Sequence, residues 1–387
     1  MTGAPVTGAP ATAPGAVDGV VVARRCAAQL LSGPRAAAAP DVVRRVLAVQ
    51  GQDPRGARLA VRARSAGLTA ADVDRAMTVD RSLLITWLNR GTLHLVTAED
   101  YWWLQLLTTP PLETANTRRL AQDGVGAGDA DKAVRLIDAA LAADGPLTRA
   151  QLAERVTAAG GRTQGQALVH LLARASARGL IIRGPVIGRH HAFVRVSDWL
   201  GRPPVPFRPA RFDRDAALAE LARRYLAGHA PASERDLAKW AGLPLRDARR
   251  GLTAIARELR ARDDGLAELA AGDRDRLSAE SRDGSGRPGR KAPAFPPPRL
   301  LGSYDPLLHG WVAREPVLGG AQGVVTVNGL FRPFALADGR AVATWRLAGG
   351  RVTLAPFSPL PAPVAAALEA DAADVLRFLG TEPRAQS

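Results

Sequence analysis

The apolar residues of this chain recur mostly every three to four positions, which is the spacing of helices that bury one face. In the first third of the chain, this pattern predicts helices over Val20–Leu31 and Asp41–Val49. A third helix is predicted to begin at Asp53-Pro54, because Asp is a favoured N-cap and proline fits the first helical turn. A β-prone segment, Thr92–Val96, follows.

Two further blocks repeat an arrangement of three helices separated by turns. In the second block, helices are predicted over Lys132–Ala143, Arg149–Ala158 and Thr163–Arg178, followed by two strands around a basic turn. A helix-turn-helix followed by a hairpin is the order of a winged helix. The third block repeats the helical part, with helices predicted over residues 215–227, 235–240 and 245–261, the last as the candidate recognition helix.

The pattern changes to strands after Leu300. Pairs of turn-forming residues at Asn328-Gly329, Asp338-Gly339 and Gly349-Gly350 are typical of hairpins. Strands are predicted over residues 323–330, 332–336, 341–347 and 351–355, and a last helix over residues 361–379. The expected fold class is therefore mainly α with β: tandem winged-helix (helix-turn-helix) modules plus a small C-terminal antiparallel β-sheet or barrel.

These shifts of pattern also predict the domain boundaries. The expected units are a disordered tail (1–17), a first winged-helix-like module (18–128), a second winged helix (129–207), a third module (208–272), a polar Gly- and Pro-rich linker (273–299) and a β-rich region with the last helix (300–387).

Charge adds a function class to this picture. The 387 residues include 52 Lys and Arg against 37 Asp and Glu, a net charge of +15. An excess of this size indicates a polyanionic partner, and arginine suits bidentate recognition of phosphate. Residues 149–195 hold eight arginines and a single acid, Glu154. Runs of arginine are often merely solvated, but this one coincides with a helix-turn-helix pattern, which favours double-stranded DNA as the partner.

The DNA-contact candidates lie on the predicted wing and on the last helix of the third block. On the wing, they would meet the phosphate backbone, and on the helix two of them share a face at the i,i+4 spacing. Adjacent histidines could suggest a metal, but neighbours on a strand face opposite ways and no third ligand is near, so no metal is predicted. The candidates are Arg183, Arg189, His190, His191, Arg246 and Arg250.

Other function classes are excluded by composition. The single cysteine, Cys26, rules out a disulfide framework within the chain and a cysteine-cluster zinc site. No apolar run reaches the ~18 residues that span a bilayer. The N-terminus lacks the basic start and apolar block of a signal peptide. We expect a cytoplasmic protein that is a monomer, needs no cofactor and does not bind membranes.

The most distinctive motif is Gln50-Gly51-Gln52-Asp53-Pro54. Positions i and i+2 of a helix point about 200° apart, so the two carboxamides could share a site only if the helix ends before them. We expect Gly51 to take a left-handed capping conformation and Gln52 to lie in an extended or turn segment. Glutamines near a helix end also often bond only to exposed carbonyls, and this alternative stays open.

Together with Arg90–Val96 and Ser303–Leu308, this motif resembles the bacterial winged-helix DNA glycosylases, the AlkZ-like family of interstrand-crosslink glycosylases. The resemblance covers about residues 20–373 and implies a C-shaped protein around duplex DNA. In that family, a Gln-x-Gln motif supplies the catalytic carboxamides, whereas divergent relatives carry Gln-x-Asp. The middle residue is usually a larger aliphatic one, so Gly51 departs from the pattern.

The resemblance implies a monofunctional glycosylase that hydrolyses the N-glycosidic bond of N7-alkylated purines, bulky or crosslinked ones included. Its role would be repair or self-resistance to a DNA-alkylating natural product. We expect Gln52 to orient the attacking water and Gln50 to support the water or the sugar. Asp53 is predicted to be an N-cap rather than a general base. For His94 a site-adjacent, DNA-contacting or packed role stays open, and Asp305 would either cap a turn or face the DNA channel.

A second hypothesis is a non-enzymatic winged-helix transcription regulator or architectural protein. The discriminating feature is the pair Gln50 and Gln52, because a regulator does not need paired carboxamides there. A regulator would also usually dimerise on palindromic half-sites, whereas three fused modules indicate a monomer.

Overall fold

The computed structural model describes residues 14–188, 190–203, 209–260, 262–270 and 294–381. Most of the predicted linker and the first part of the predicted N-terminal tail lie outside the described residues. Helices and antiparallel sheets make up the fold, as the hydrophobic pattern predicted. No described helix is long and apolar enough to cross a membrane.

The N-terminal part contains six helices and three short strands. Their bounds are α1 Pro14–Ala28, α2 Ala39–Val46, β1 Val49–Gln50, α3 Pro54–Arg64, α4 Ala70–Thr78, β2 Leu83–Leu88, β3 Thr92–Thr97, α5 Ala98–Thr108 and α6 Pro110–Gln122. Helix α2 ends three residues earlier than predicted, which leaves Val49–Gln50 free to pair as a strand. Helix α1 begins at Pro14, inside the predicted tail.

The middle of the chain follows the predicted order of helices and a hairpin. It contains α7 Ala127–Asp144, α8 Arg149–Ala158, α9 Ala167–Ala177, β4 Ile181–Ile187, β5 His190–Arg195 and α10 Val196–Trp199. The predicted bounds of α8 are confirmed, because Thr148 and Gln151 form a capping box at its start.

The third block contains α11 Arg214–His229, α12 Glu234–Ala241, α13 Leu245–Ala254, β6 Leu259–Arg260 and β7 Glu268–Leu269. Helix α13 is seven residues shorter than the predicted recognition helix. The chain beyond it forms a 3-10 turn and then pairs as β6 with β7, which takes these residues away from the helix.

The C-terminal part contains β8 Arg299–Leu301, α14 Glu315–Leu318, β9 Phe334–Ala337, β10 Arg340–Ala348, β11 Arg351–Pro356 and α15 Ala362–Leu379. The strands form an open sheet in the order β11-β10-β9-β8, not a closed barrel among the described residues. The strand predicted over residues 323–330 is wrong. A tight turn forms there instead, in which the backbone and hydroxyl of Thr326 bond to the backbone of Leu330.

The larger sheet joins two predicted modules. Its five strands run in the order β1-β3-β2-β4-β5, and β2 pairs with β4 through Ile85 and Arg183. The hairpin of the second block therefore extends the sheet of the first block. The short strand β1 lies at the far edge, where it pairs with β3.

Two buried arginines connect helix α3 to the C-terminal region. Arg62 lies 2.8 Å from Asp371 of α15 and donates to the carbonyl of Leu300. Arg64 donates to both carboxylate oxygens of Asp305. These long-range pairs fix the C-terminal segment 299–309 against the helix that follows the Gln-x-Gln motif.

Candidate active site

The two glutamines lie along one edge of β3. Gln50 pairs with His94 in the antiparallel register, and the backbone N–H of Gly51 donates to the carbonyl of Leu93 at 2.7 Å. The side-chain Oε1 of Gln52 then accepts from the backbone N–H of Leu93 at 3.0 Å. In an extended segment, residues i and i+2 point to the same side. The chain between the glutamines thus allows both carboxamides to serve one site.

The predicted conformation of Gly51 is wrong. Gly51 is not among the residues with positive φ, and the residue with positive φ that ends α2 is Leu47, with φ 64°. Gly51 is buried instead, and a Cβ there would lie 3.4 Å from Cγ2 of Ile85. The motif becomes extended because the chain pairs with β3, so the glycine is not needed for a helix cap.

The surroundings of the two carboxamides differ. Gln50 is buried, with 7% of its surface exposed, and its Oε1 has no hydrogen-bond partner in the structure. A buried carbonyl oxygen left without a donor costs about 1–3 kcal/mol. Gln52 is exposed, and its Oε1 is already held by the backbone of β3. Of the two carboxamide oxygens, the one without a hydrogen-bond partner is therefore that of Gln50.

Asp53 is the N-cap of α3, as predicted. Its carboxylate accepts from the backbone N–H of Arg55 at 3.0 Å. One turn along, Gly56 lets the carbonyl of Ser303 approach so closely that a Cβ at this position would lie 2.3 Å from the oxygen. This contact brings Tyr304 beside the motif, where burial and the charge of Asp53 raise the pKa of the phenol.

His94 is buried next to Gln50, which favours the site-adjacent alternative over direct DNA contact. Its Nδ1 lies 2.9 Å from the carbonyl of Thr92. Because a carbonyl can only accept, Nδ1 carries the proton and Nε2 keeps its lone pair. Burial, aided by the charge of Arg90, lowers the pKa of His94 to about 3. The imidazole is therefore neutral at physiological pH.

Asp305 does not face a DNA channel. It has no exposed surface, forms an ion pair with Arg64 and caps the 3-10 turn Pro306–Leu308 through the N–H of Leu307. The turn-capping alternative is therefore the correct one. A buried carboxylate needs a cationic partner, and only the tertiary structure could show that Arg64 was available.

The aromatic side chains next to Asp305 were not predicted from the sequence. The ring of Tyr304 stacks on His309 at 6.0 Å, and Phe331 lies 4.1 Å from His309. Tyr304 has φ 57°, a left-handed conformation that is uncommon for a bulky residue. The position of Tyr304 next to Asp305, within the segment Ser303–Leu308 that resembles the family, could have indicated a role for it. Arg314, whose guanidinium lies 5.1 Å from the ring of Phe331, was also missed.

The predicted wing residues are less available to DNA than expected. Arg183 is half-buried, with its guanidinium 5.0 Å from the ring of Trp87 and 4.9 Å from that of Phe193, so it does not present an open wing surface. Burial lowers its pKa to about 10. Both ring nitrogens of His191 are buried without a partner, which contradicts an exposed contact.

The remaining DNA-contact candidates divide into three cases. His190, at the start of β5, is exposed. Arg189 lies outside the described residues. Arg246 and Arg250 are both exposed on α13, and Arg250 lies 2.5 Å from the carboxylate of Asp215. The predicted shared face exists, but one of its two charges is already paired.

The part of the chain that the structure describes contains no group of three His, Cys, Asp or Glu side chains that could hold a metal ion. The site is thus built from neutral carboxamides, neutral imidazoles, aromatic rings and arginines. Such a set can order a water molecule and accept hydrogen bonds from it, and it offers cationic groups to an anionic ligand.

Comparison with known proteins identifies the family. The family model described as "DNA glycosylase AlkZ-like" matches residues 43–378. An interstrand DNA cross-link repair glycosylase of Streptomyces sahachiroi is 26% identical over 381 residues, and the match covers 93% of this chain and 96% of that protein. The solved structure of Streptomyces sahachiroi DNA glycosylase AlkZ covers 94% of this chain and 96% of its own, with a TM-score of 0.69 and 26% identity. This chain belongs to the AlkZ-like DNA glycosylase family, and it is a DNA glycosylase.

Proposed function

We propose that this enzyme hydrolyses the N-glycosidic bond of N7-alkylated purines in duplex DNA, including bulky and crosslinked adducts. The observation that carries the proposal is the pair of carboxamides along β3, with the unpaired Oε1 of buried Gln50 and the anchored Gln52. The similar Streptomyces sahachiroi protein, named an interstrand DNA cross-link repair glycosylase, supports the crosslink as a substrate. Repair and self-resistance both fit this chemistry.

The proposed mechanism uses the charge that the lesion already carries. An N7-alkylated purine is cationic and a good leaving group, so its departure needs little acid catalysis and leaves an oxocarbenium-like sugar. A carboxamide oxygen can accept a hydrogen bond from the attacking water and stabilise the developing positive charge. Such a neutral site gives too little assistance to cleave undamaged nucleosides, which favours cationic lesions.

The geometry supports an exchange of the roles expected from the sequence. Because Oε1 of Gln52 is held by Leu93, it offers less to a water than the unpaired Oε1 of Gln50. We therefore assign the water to Gln50, with Gln52 anchored as its support on the solvent side. Asp53 serves as the cap of α3 and is not the base in this mechanism.

Winged helices remain part of the proposal. The order α2-β1-α3-α4-β2-β3, with strands arranged β1-β3-β2, supports a winged helix in the first block, and the helices and hairpin of the second block support another. We propose that these modules bind duplex DNA and that the enzyme acts as a cytoplasmic monomer. Because β1 is an edge strand of the sheet and Gln52 is exposed, a crosslinked base need not rotate into a deep pocket.

The test is single-turnover release of the modified base from duplex DNA that carries 7-methylguanine or a bulky N7 adduct. We expect Gln50→Ala and Gln52→Ala to reduce the rate by about 100-fold or more, the usual effect of removing a group that stabilises transition-state charge. Gln122→Ala, which removes an exposed glutamine of α6, is the matched control and should keep the wild-type rate.

DNA affinity is measured in parallel by fluorescence anisotropy, and unhooking of a crosslinked duplex is followed on denaturing gels. Unchanged binding with lost release would assign the glutamines to chemistry. Wild-type protein that binds these duplexes but releases none of the modified bases would contradict the proposed substrate. Full activity of Gln50→Ala would contradict the proposed mechanism.

A further inference from the structure

Two arginines next to the candidate active site have no acidic partner. Arg90 follows β2 in the turn before β3, and Arg314 immediately precedes α14. Neither forms an ion pair with a carboxylate of the described residues, and both are half-buried. Five other buried or half-buried arginines do lie against carboxylates, whereas Arg183 lies against aromatic rings; the five are Arg62, Arg64, Arg174, Arg223 and Arg224.

Both guanidiniums are held in place by contacts that leave their charge uncompensated. Arg90 donates to the carbonyl of Trp240, at the end of α12. Arg314 donates through Nε to the carbonyl of Leu308 at 2.8 Å, and its guanidinium lies over the ring of Phe331. These neutral partners orient each side chain but do not balance its charge. The remaining guanidinium donors stay available to an anion.

Arg314 and His309 both lie against the ring of Phe331, at 5.1 and 4.1 Å, and electrostatic coupling joins Arg90 and His94 to them in one cluster. Burial and the charge of Arg314 lower the pKa of Arg90, and the charges of both arginines help burial to lower the pKa of His309. His309 is thus neutral, and its Nε2 is buried without a hydrogen-bond partner. His94 completes the cluster and pairs with Gln50 in the sheet. Positive charges that are buried close together destabilise a protein unless an anion binds to them.

We propose that Arg90 and Arg314, together with His309, bind one phosphate of the DNA backbone next to the nucleotide that is hydrolysed. Phosphate supplies the missing negative charge, and arginine binds it through charge-assisted hydrogen bonds. The unpaired Nε2 of His309 gains a partner when its tautomer places the proton there. Phosphate contacts fix the register of a duplex, so this site positions the sugar relative to Gln50. The inference rests on the proposed function for the identity of that nucleotide.

The first arm of the test measures the affinity for an undamaged duplex at several salt concentrations, with wild type, Arg90→Gln and Arg314→Gln. Each phosphate contact contributes about one unit to the slope of log Kd against log salt. We expect each variant to lower this slope by at most about one, because the two arginines share one phosphate, and to weaken binding about tenfold at low salt, as for a lost hydrogen bond between charged groups. Arg135→Gln, at an exposed position of α7, should change neither to this extent.

The second arm replaces single phosphates by neutral methylphosphonates around a tetrahydrofuran abasic-site analogue. One position should weaken wild-type binding about tenfold and have a smaller effect in Arg90→Gln and in Arg314→Gln, because each variant keeps only one of the two arginines. An unchanged salt slope in both variants, or the same methylphosphonate penalty in variants and wild type, overturns the proposal. Thermal unfolding of each variant checks its fold, and Arg314→Gln with the phosphate scan suffices if Arg90→Gln does not fold.

The two arms separate this inference from the proposed function. If wild type releases no alkylated purine but both arms give the expected result, the phosphate site stands and the proposed substrate is wrong. If wild type releases 7-methylguanine but neither arm shows an effect, the phosphate site is wrong and the proposed function stands.

Discussion

At the scale of single residues, the site contains uncharged side chains whose polar atoms have no hydrogen-bond partner. Gln50 keeps a buried carbonyl oxygen without a donor, and His94 presents a neutral ring beside it. Unsatisfied buried groups destabilise a fold, so they persist mainly where a ligand or a reaction uses them. The motif itself could be found in the sequence, whereas this difference between its two carboxamides depends on the N–H of Leu93 in another strand.

A stability measurement on Gln50 follows from this arrangement. Gln50→Met keeps the approximate size of the side chain and removes the unsatisfied oxygen, so we expect the free energy of unfolding to rise by about 1 kcal/mol. Base release should fall at the same time. Urea unfolding monitored by circular dichroism measures the first quantity. A clear loss of stability in Gln50→Met would show that the carboxamide is already satisfied in the folded protein.

At the scale of elements, α3 positions the site through a capping side chain at its start and through a glycine, whose missing side chain leaves room for another segment. Its cap, Asp53, holds the start of the helix, and Gly56 provides room for the carbonyl of Ser303. The cap was predictable because Asp and Pro54 are adjacent in the sequence. The role of Gly56 was not, because its close contact comes from a segment almost 250 positions away.

We expect Gly56→Ala to destabilise the protein by about 1–3 kcal/mol, the usual effect of an added methyl group in a packed interior. The backbone of Ser303 would have to move, and Tyr304 with it, so base release should also fall. The matched control is Gly128→Ala on α7, where an added Cβ meets no atom within 4 Å and alanine favours the helix. Equal stability of the two variants would contradict the close contact.

At the scale of the whole molecule, ion pairs and ring stacks connect distant parts of the chain. Arg62 and Arg64 bind carboxylates more than 240 positions later. His229 of α11 stacks on Tyr225 with ring centroids 4.7 Å apart and contacts Trp311 of the C-terminal region. The N-terminal sheet, the third block and the C-terminal segment thus share their buried surfaces.

The burial of His229 leads us to expect that the protein loses stability in acid. Burial lowers the pKa of His229 to about 3, so this group binds a proton in the unfolded chain, at about pH 6.5, well before it does in the folded protein. Its contribution is complete above about pH 6.5 and is lost as the pH falls towards 3. Between pH 6.5 and 5, we expect the free energy of unfolding of His229→Phe to fall by about 2 kcal/mol less than that of wild type.

Urea unfolding at the two pH values measures this difference. His190→Phe, which replaces an exposed histidine of β5, serves as the control and should retain the wild-type dependence on pH. The same dependence in His229→Phe as in wild type would show that this ring does not carry the effect.

Features that neighbouring residues encode could be predicted from the sequence. Periodicity predicted both bounds of α8, the Asp53-Pro54 pair predicted the start of α3, and the Gln-x-Gln motif with its two companion segments indicated the family. How these elements pack against one another required the three-dimensional structure. It showed the pairing of β2 with β4, the burial of Asp305 against Arg64, and the cluster beside Gln50. These features arise from contacts between residues far apart in the chain, and local sequence patterns do not encode such contacts.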